Sequence, residues 1–158
     1  MTLNDKKRLD HVDWQILTLL QENARLSYAD IGRQVGLSLP AAAERIRRLE
    51  EAGIIEGYYA RIDPEKIGLS VTAFIRVSVP VEKYPQFTAL VGNLAEVSEC
   101  HHVTGVEAFV LKVGVTSISH LEALLQRLSQ YGQTTTSIVM SSPLKRRTIK
   151  HSFFFDGD

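Results

Sequence analysis

Apolar residues recur three and four positions apart along the first third of the chain, which is the period of an amphipathic helix. This spacing predicts a first helix over residues 10–22. A short second helix is predicted to begin at Ser27 and end at Gly36, and a third to run from Ser38 to Gly53. A long helix followed by two helices joined through Gly-Leu-Ser is the helix-turn-helix layout.

The third predicted helix has an apolar side and a polar side. Small residues near its start suit close approach to DNA base edges, and the arginines further along suit phosphates. An ordinary surface helix with a solvated charged face is the alternative reading. The wheel places Leu39, Ala43, Ile46, Leu49 and Glu50 on one side, and Ala41, Glu44 and Arg48 on the other, flanked by Arg45 and Arg47.

Beyond the third helix the pattern changes to the two-residue alternation of β-strands. Aromatic and apolar residues around Gly57 predict a short hairpin or wing. The expected class is α+β, with a winged helix-turn-helix followed by a ferredoxin-like βαββαβ antiparallel sheet. The predicted order is strand 71–80, helix 82–95, strands 97–104 and 106–115, helix 117–131 and strand 134–142.

Length and charge restrict the possible functions. The chain has 158 residues and a formal net charge of zero, so any case for DNA binding depends on local basic clusters. Such clusters occur at residues 6–8, 45–48 and 145–150. No apolar run is long enough for a membrane span, and one cysteine supplies neither an internal disulfide nor a metal cluster. These features predict a cytoplasmic protein without a cofactor.

Several stretches resemble the leucine-responsive/asparagine-type (Lrp/AsnC) feast-or-famine transcription regulators of bacteria and archaea. They are the Leu-Asp-x-Val-Asp motif from Leu9, the run over residues 24–38, the Glu-Arg-Ile-Arg-Arg-Leu-Glu segment from Glu44, and Glu-Cys-His-His-Val-Thr-Gly over residues 99–105. Together they span roughly residues 9–142.

The resemblance implies a sequence-specific DNA-binding transcription regulator that dimerises through its sheet domain and commonly assembles four dimers into an octamer. Its operator is expected to be a pseudo-palindrome, because two recognition helices enter successive major grooves about 34 Å apart. A nucleoid-associated location follows. The residues assigned to DNA are Arg25, Tyr28, Ser38, Pro40, Ala41, Glu44, Arg45, Arg47 and Arg48.

The resemblance also implies a small effector, usually an amino acid, bound where sheet domains of neighbouring dimers meet. The family loop usually reads Gly-Asp, but here Val106 follows Gly105, which indicates an apolar ligand, a changed site or no effector. Glu107, if in a strand, would point to the other face. At the start of the third helix, Leu39-Pro40-Ala41 stands where many family members carry Pro-Ser/Thr-Pro, so the hydroxyl that could touch DNA after Ser38 is absent. The residues assigned to the effector are His102, Thr104, Gly105, Val106, Glu107, Ser137 and Val139.

Three other readings remain open. Cys100, His101 and His102 suggest a metal site, but alternation splits them between two faces, and a buried cysteine with strand histidines at an interface is the simpler interpretation. Siroheme decarboxylases resemble the same two-part fold, although their His-Asn-Tyr pattern is missing here. A ligand-independent architectural DNA-binding protein would share the DNA helix.

The expected domains are a helix-turn-helix over residues 1–60, a linker over 61–68, a ligand-sensing and oligomerisation domain over 69–143, and a C-terminal tail over 144–158. The tail is basic, then Phe-Phe-Phe, then acidic, and no structure is predicted for it. The basic residues 6–8 are candidates for an arm that reaches DNA.

Overall fold

The computed structural model of the protein describes residues 9–151. Its contacts divide the chain into two compact units. The first, the helical unit, contains the described residues up to Arg61 together with those from Leu144 onward. The second, the sheet unit, runs from Ile62 to Pro143. No helix among the described residues is both long and apolar enough to cross a membrane.

Three helices form the helical unit: α1 (His11–Glu22), α2 (Tyr28–Val35) and α3 (Leu39–Glu51). Each begins at a predicted cap. Asp10 and Asp13 bond each other's backbone N–H groups at 2.8 and 3.1 Å, which closes a capping box. The helices enclose a core of large aliphatic side chains, which are Ile16, Leu20, Ile31, Ile46 and Leu49.

Glycines shape the turns on either side of α3. A Cβ on Gly32 would lie 2.7 Å from the Leu37 carbonyl oxygen, so only glycine fits where α2 meets the turn. Gly53 has φ of 67° and ends α3 in the left-handed conformation, as predicted. The N–H groups of Gly53 and Ile54 then donate to the carbonyls of Glu50 and Leu49 at 2.9 and 3.0 Å.

Two details of the helical unit differ from the sequence analysis. Residues 54–63 contain no paired strand, so the predicted hairpin is wrong for this segment; Tyr58 instead donates a hydrogen bond of 2.8 Å to Glu50. Leu39, predicted to face the core, is 54% exposed, whereas Ala42 is fully buried. The first turn of α3 projects past the core, so a wheel drawn from the sequence overestimates the buried side there.

The sheet unit has the predicted βαββαβ order. Its elements are β1 (Val71–Ser78), α4 (Tyr84–Gly92), β2 (Val97–His102), β3 (Phe109–Val115), α5 (Ile118–Ser129) and β4 (Gln133–Ile138). The strands lie in the order β2-β3-β1-β4, and every neighbouring pair is antiparallel. Strands β1 and β2 run in the same direction with β3 between them, β3 and β4 run in the opposite direction with β1 between them, and β2 and β4 are the edges.

Alternate residues of the central strands meet the two helices on one face of the sheet. Ile75, Leu111 and Val113 are almost fully buried there against Phe87 and Leu124. Gly132 lies just before β4. A Cβ on this residue would lie 2.0 Å from the Ser78 carbonyl oxygen, so a glycine is required where the chain enters the strand. In a single chain, the face of the sheet opposite the two helices is exposed, and Phe74 on this face is 42% exposed.

Candidate nucleic-acid interface and ligand site

The exposed side of α3 carries most of the residues predicted to contact DNA. The Ser38 hydroxyl caps the helix by accepting the Ala41 N–H at 3.4 Å. Ala41 is half-buried, and Pro40 is exposed in the first turn. Ala42, Ile46 and Leu49 lie in the opposite direction, in the core. The helix therefore presents a narrow start and a charged middle to solvent, as a helix that enters the major groove requires.

Glu44 organises the charges on that side. Arg47 donates to its carboxylate at 2.8–3.0 Å and also pairs with Glu51, while Arg48 Nε lies 3.4 Å from Glu44 Oε1. The Arg47 guanidinium lowers the pKa of the Glu44 carboxyl. All of these side chains are substantially exposed. Exposed pairs are weak, so both arginines can exchange Glu44 for a phosphate.

The Arg45 side chain pairs with carboxylates of its own chain, a contact that was not predicted. Its guanidinium donates to Asp10 at 2.6 Å and to Asp13 at 2.8 Å, which ties α3 to the start of α1. The side chain is 28% exposed. Hydrogen bonds from the Asp13 N–H and from Arg45 lower the pKa of Asp10, so the carboxylate stays charged. This double pairing argues against the predicted contact of Arg45 with DNA.

The remaining DNA candidates lie where the chain enters α2. Arg25 is exposed, and its backbone N–H donates to Asn23 Oδ1 at 3.0 Å. Tyr28 is the first residue of α2 and is 45% exposed. Both side chains are accessible to a phosphate, and for Arg25 no carboxylate partner occurs among the described residues. The basic residues 6–8 lie outside the described part of the chain.

Four of the predicted effector residues occupy the connection between β2 and β3, and a fifth, His102, is the last residue of β2. Val103 N–H donates to Ala108 O at 2.8 Å and closes this loop, with Gly105 at φ of 114°. Val106 is 87% exposed at its tip. His102 ends β2 and stacks on the Phe109 ring, with centroids 4.9 Å apart. The other residues of the group in this loop are Thr104, Gly105 and Glu107.

The prediction for Glu107 changes because neither Val106 nor Glu107 belongs to a strand. Both predicted strands are shorter at this end, so no alternation relates the two side chains. The Glu107 carboxylate instead lies 3.0 Å from Arg76 Nε on β1. Glu107 is therefore already paired with a basic residue of the same chain, Arg76, for which no role was predicted.

Ser137 and Val139 are far from that loop within one chain. Ser137 of β4 pairs with Phe74 of β1, and the Val139 N–H donates to Thr72 O at 2.9 Å. Because β4 and β2 are opposite edges of the sheet, they are separated by three strand spacings, about 14 Å. The structure does not bring the predicted effector residues together, and one chain alone does not complete a site from them.

The cysteine and histidines of β2 do not assemble a metal site. Cys100 is exposed on the edge strand of a single chain, and its burial at an interface with another chain stays a prediction. His101 lies 3.5 Å from Glu99, which is paired with Lys112 at 2.7 Å. Across residues 9–151 no group of three His, Cys, Asp or Glu side chains is arranged to hold a metal ion.

A helix-turn-helix with a charged recognition helix, joined to a ferredoxin-like sheet unit, defines the class of DNA-binding regulators that carry a ligand-binding domain. A winged helix-turn-helix DNA-binding family matches residues 9–56, and the Lrp/AsnC ligand binding domain matches residues 72–149. The chain belongs to the Lrp/AsnC family of transcriptional regulators.

Individual relatives agree with this assignment. The chain is 32% identical to the HTH-type transcriptional regulator LrpC of Bacillus subtilis over 85% of its own length and 93% of LrpC. It is 36% identical to the leucine-responsive regulatory protein of Escherichia coli, over 85% of this chain and 86% of that one.

Solved structures agree as well. The LrpC structure aligns with a TM-score of 0.84 at 31% identity, covering 88% of this chain and 99% of LrpC. A transcriptional regulator of Neisseria meningitidis, solved in complex with L-Met, aligns with a TM-score of 0.86 at 30% identity, covering 93% of this chain and 99% of that one. The regulator family and the α+β fold predicted from the sequence are confirmed.

Proposed function

We propose that the protein acts as a dimer on a pseudo-palindromic operator, in the bacterial or archaeal cytoplasm and nucleoid. The observation that carries this proposal is the exposed side of α3, where small residues precede the weakly paired Arg47 and Arg48. Two such helices enter successive major grooves about 34 Å apart. Arg25 and Tyr28 contact the flanking phosphates, and Arg45 holds the helix against α1.

Dimerisation uses the open face of the sheet. Phe74 is half-exposed in the middle of that face, between polar neighbours on β3 and β4. A second copy of the same sheet would cover it, and this arrangement places two helical units on one assembly. Four dimers then form the octamer that the family resemblance implies. Sedimentation of the purified protein measures both steps.

The effector site forms between dimers. The loop residues around Val106 lie at one edge of the sheet, and Ser137 of β4 lies at the other with Val139 just beyond the strand, so neighbouring chains must supply the two parts. Val106 at the exposed tip favours an apolar amino acid, because it offers no carboxylate to an ammonium group. Methionine is a candidate, since the Neisseria relative was solved with L-Met.

Fluorescence anisotropy tests the DNA part of this proposal. Labelled DNA from upstream of the protein's own gene is titrated across a salt series, beside a random sequence of equal length. We expect tighter binding to the upstream DNA, and an affinity that falls steeply with salt because phosphate contacts release counterions. Equal binding to both sequences would favour the architectural alternative, and no binding to either would favour the siroheme decarboxylase alternative.

Calorimetry tests the effector part. Methionine and leucine are titrated into the protein beside aspartate and asparagine, each with and without the upstream DNA. We expect the apolar amino acids to bind and the acidic and polar ones to give no heat. Micromolar binding of aspartate or asparagine would contradict the role assigned to Val106, and specific DNA binding that no amino acid alters would indicate a constitutive regulator.

A further inference from the structure

The C-terminal residues 144–151, here called the strap, return to the helical unit and bind α1. Gln21 Nε2 donates to the Ile149 carbonyl at 3.1 Å, and the Ile149 N–H donates to Gln21 Oε1 at 2.9 Å. One side-chain amide thus satisfies both backbone groups of Ile149, as a neighbouring strand would. No structure was predicted for the tail, and no periodicity in its sequence indicates this contact.

A second contact lies two turns earlier on α1. The Trp14 and His151 rings meet edge to face with their centroids 5.5 Å apart. Between α1, the end of α2 and the strap lies a cleft of about 430 Å³. Trp14, Thr18 and Gln21 succeed one another at helical spacing, so the strap follows a single side of α1.

Few apolar contacts accompany these two interactions. Leu144 and Ile149 are 61% and 58% exposed, and no carboxylate partner for Lys145, Arg146, Arg147 or Lys150 occurs among the described residues. A segment that buries so little apolar surface opens locally at low free-energy cost. The docked position of the strap therefore depends chiefly on the Gln21 bonds together with the Trp14–His151 ring contact.

The strap gives the helical unit a second covalent connection. The chain leaves this unit after Arg61 and rejoins it at Leu144, so the sheet unit is linked to it at two places in the sequence. A unit attached at one point can pivot, whereas attachment at two separated points restricts its rotation. The second connection restrains the helical unit only when the strap is docked on α1.

We propose that Gln21 is a positioning residue for operator recognition: by holding the strap on α1, it restrains the helical unit and so limits the half-site spacings that a dimer accepts. This proposal rests on the dimeric operator binding proposed above. Gln21 itself touches no DNA. Its side chain bonds only Leu17 and Ile149 among the described residues, on a helix other than the recognition helix.

Hydrogen exchange measured by NMR tests the contact itself. The full chain is compared with Gln21→Ala and with the control Gln126→Ala, which makes the same change at an exposed site on α5. We expect the Ile149 amide to exchange about fivefold or more faster in Gln21→Ala, because its acceptor is gone. The amides of α3 should be unchanged. Equal exchange of Ile149 in all three proteins would overturn the proposal.

A spacing series tests the positioning role. Affinities are measured for operators whose half-sites are moved apart by about 2–5 base pairs, up to half a helical turn. The unaltered protein and Gln126→Ala should discriminate strongly among them. Gln21→Ala should bind the best spacing within about threefold of the unaltered protein yet lose much of the discrimination. Gln21→Glu retains the acceptor for the Ile149 N–H but loses the donor, so it should fall between the two.

The outcomes separate this proposal from the one on which it rests. If the unaltered protein shows no preference for paired half-sites, dimeric operator binding is wrong, and the positioning role of Gln21 fails with it. The exchange measurement still reports, independently, whether the strap is docked. If Gln21→Ala discriminates among half-site spacings as sharply as Gln126→Ala does, dimeric operator binding stands and the positioning role of Gln21 is overturned. A uniform loss of affinity at every spacing would indicate a purely structural role for Gln21.

Discussion

Seven of the nine residues predicted to contact DNA lie on α3 or at its cap, whereas the seven predicted effector residues are divided between opposite edges of the sheet. The first group shares a surface because a helix brings residues three and four apart onto one side. The second group depends on strand order, and the site that we propose for it also needs other chains. The proposed DNA interface is therefore local to one chain, whereas the proposed effector site belongs to the assembly.

The largest effect should come from Gly132→Ala, which should lower the unfolding free energy of the sheet unit but not that of the helical unit. In Gly132→Ala the new Cβ would lie 2.0 Å from the Ser78 carbonyl oxygen, and a backbone atom cannot move aside cheaply. We expect the sheet unit to lose about 3 kcal/mol or more of its free energy of unfolding. Urea unfolding followed by circular dichroism measures this loss, while Trp14, the single tryptophan, reports on the helical unit.

Gly92→Ala is the matched control for that substitution. Gly92 ends α4, and a Cβ there meets nothing within 4 Å. Alanine should leave the stability unchanged or raise it by up to about 1 kcal/mol. If Gly132→Ala unfolds at the same urea concentration as Gly92→Ala, the backbone of Gly132 does not approach the Ser78 carbonyl oxygen as closely as described. If the Trp14 signal follows the sheet transition, the units do not fold independently.

A smaller effect should appear in DNA binding. Arg48→Ala removes an exposed guanidinium whose only partner among residues 9–151 is the weakly held Glu44. Affinity for the operator should therefore fall by about 1–3 kcal/mol with stability nearly unchanged. Anisotropy with the upstream DNA measures the loss. Arg127→Ala, an exposed arginine on α5, controls for the change in net charge. Equal affinities for the two variants would mean that this side of α3 does not face DNA.

Sequence periodicity was sufficient for the elements and insufficient for the partners of charged residues. The helix caps at Asp10, Ser27 and Ser38 and the left-handed Gly53 follow from local chemistry, and all are present. By contrast, the partner of Arg45 is more than thirty positions earlier in the chain, and nothing in the spacing of α3 identifies it.

The same limit applies to the sheet unit. The loop around Gly105 was recognisable as a turn between two strands, but the pairing of Glu107 with Arg76 depends on which strand lies next to β3. The docking of Ile149 on Gln21 joins residues 128 positions apart. Contacts of this kind follow from tertiary packing, so only the structure reveals them.

Arg45→Ala should show the reverse of Arg48→Ala, with a change in stability and little direct loss of DNA contacts. Removing its bonds to Asp10 and Asp13 should cost the helical unit about 1 kcal/mol. The folded protein holds the pKa of Asp10 below its ordinary value, first through the Asp13 N–H and then through Arg45. This stabilisation is therefore complete above the ordinary pKa, about 4, and is lost as the pH falls through the lower folded pKa.

Urea unfolding of the helical unit at several pH values measures that dependence. The difference in unfolding free energy between the unaltered protein and Arg45→Ala should be full near pH 6 and should shrink below about pH 4. A difference that stays constant down to pH 2 would exclude the ion pairs as its source. A large loss of operator affinity in a fully folded Arg45→Ala would return Arg45 to the DNA interface.

The smallest effect should come from Glu107→Gln. Both partners of the Glu107–Arg76 pair are well exposed, so stability should change by less than about 1 kcal/mol, much as in the control Glu99→Gln, which breaks another exposed pair. Because Arg76 already engages Glu107, binding of methionine measured by calorimetry should stay within about twofold of the unaltered protein. Abolished binding in Glu107→Gln alone would show that this carboxylate replaces the family's missing Asp. The β2–β3 loop would then hold the effector's ammonium group without help from β4, and the contrast between a local DNA interface and an assembled effector site would fail.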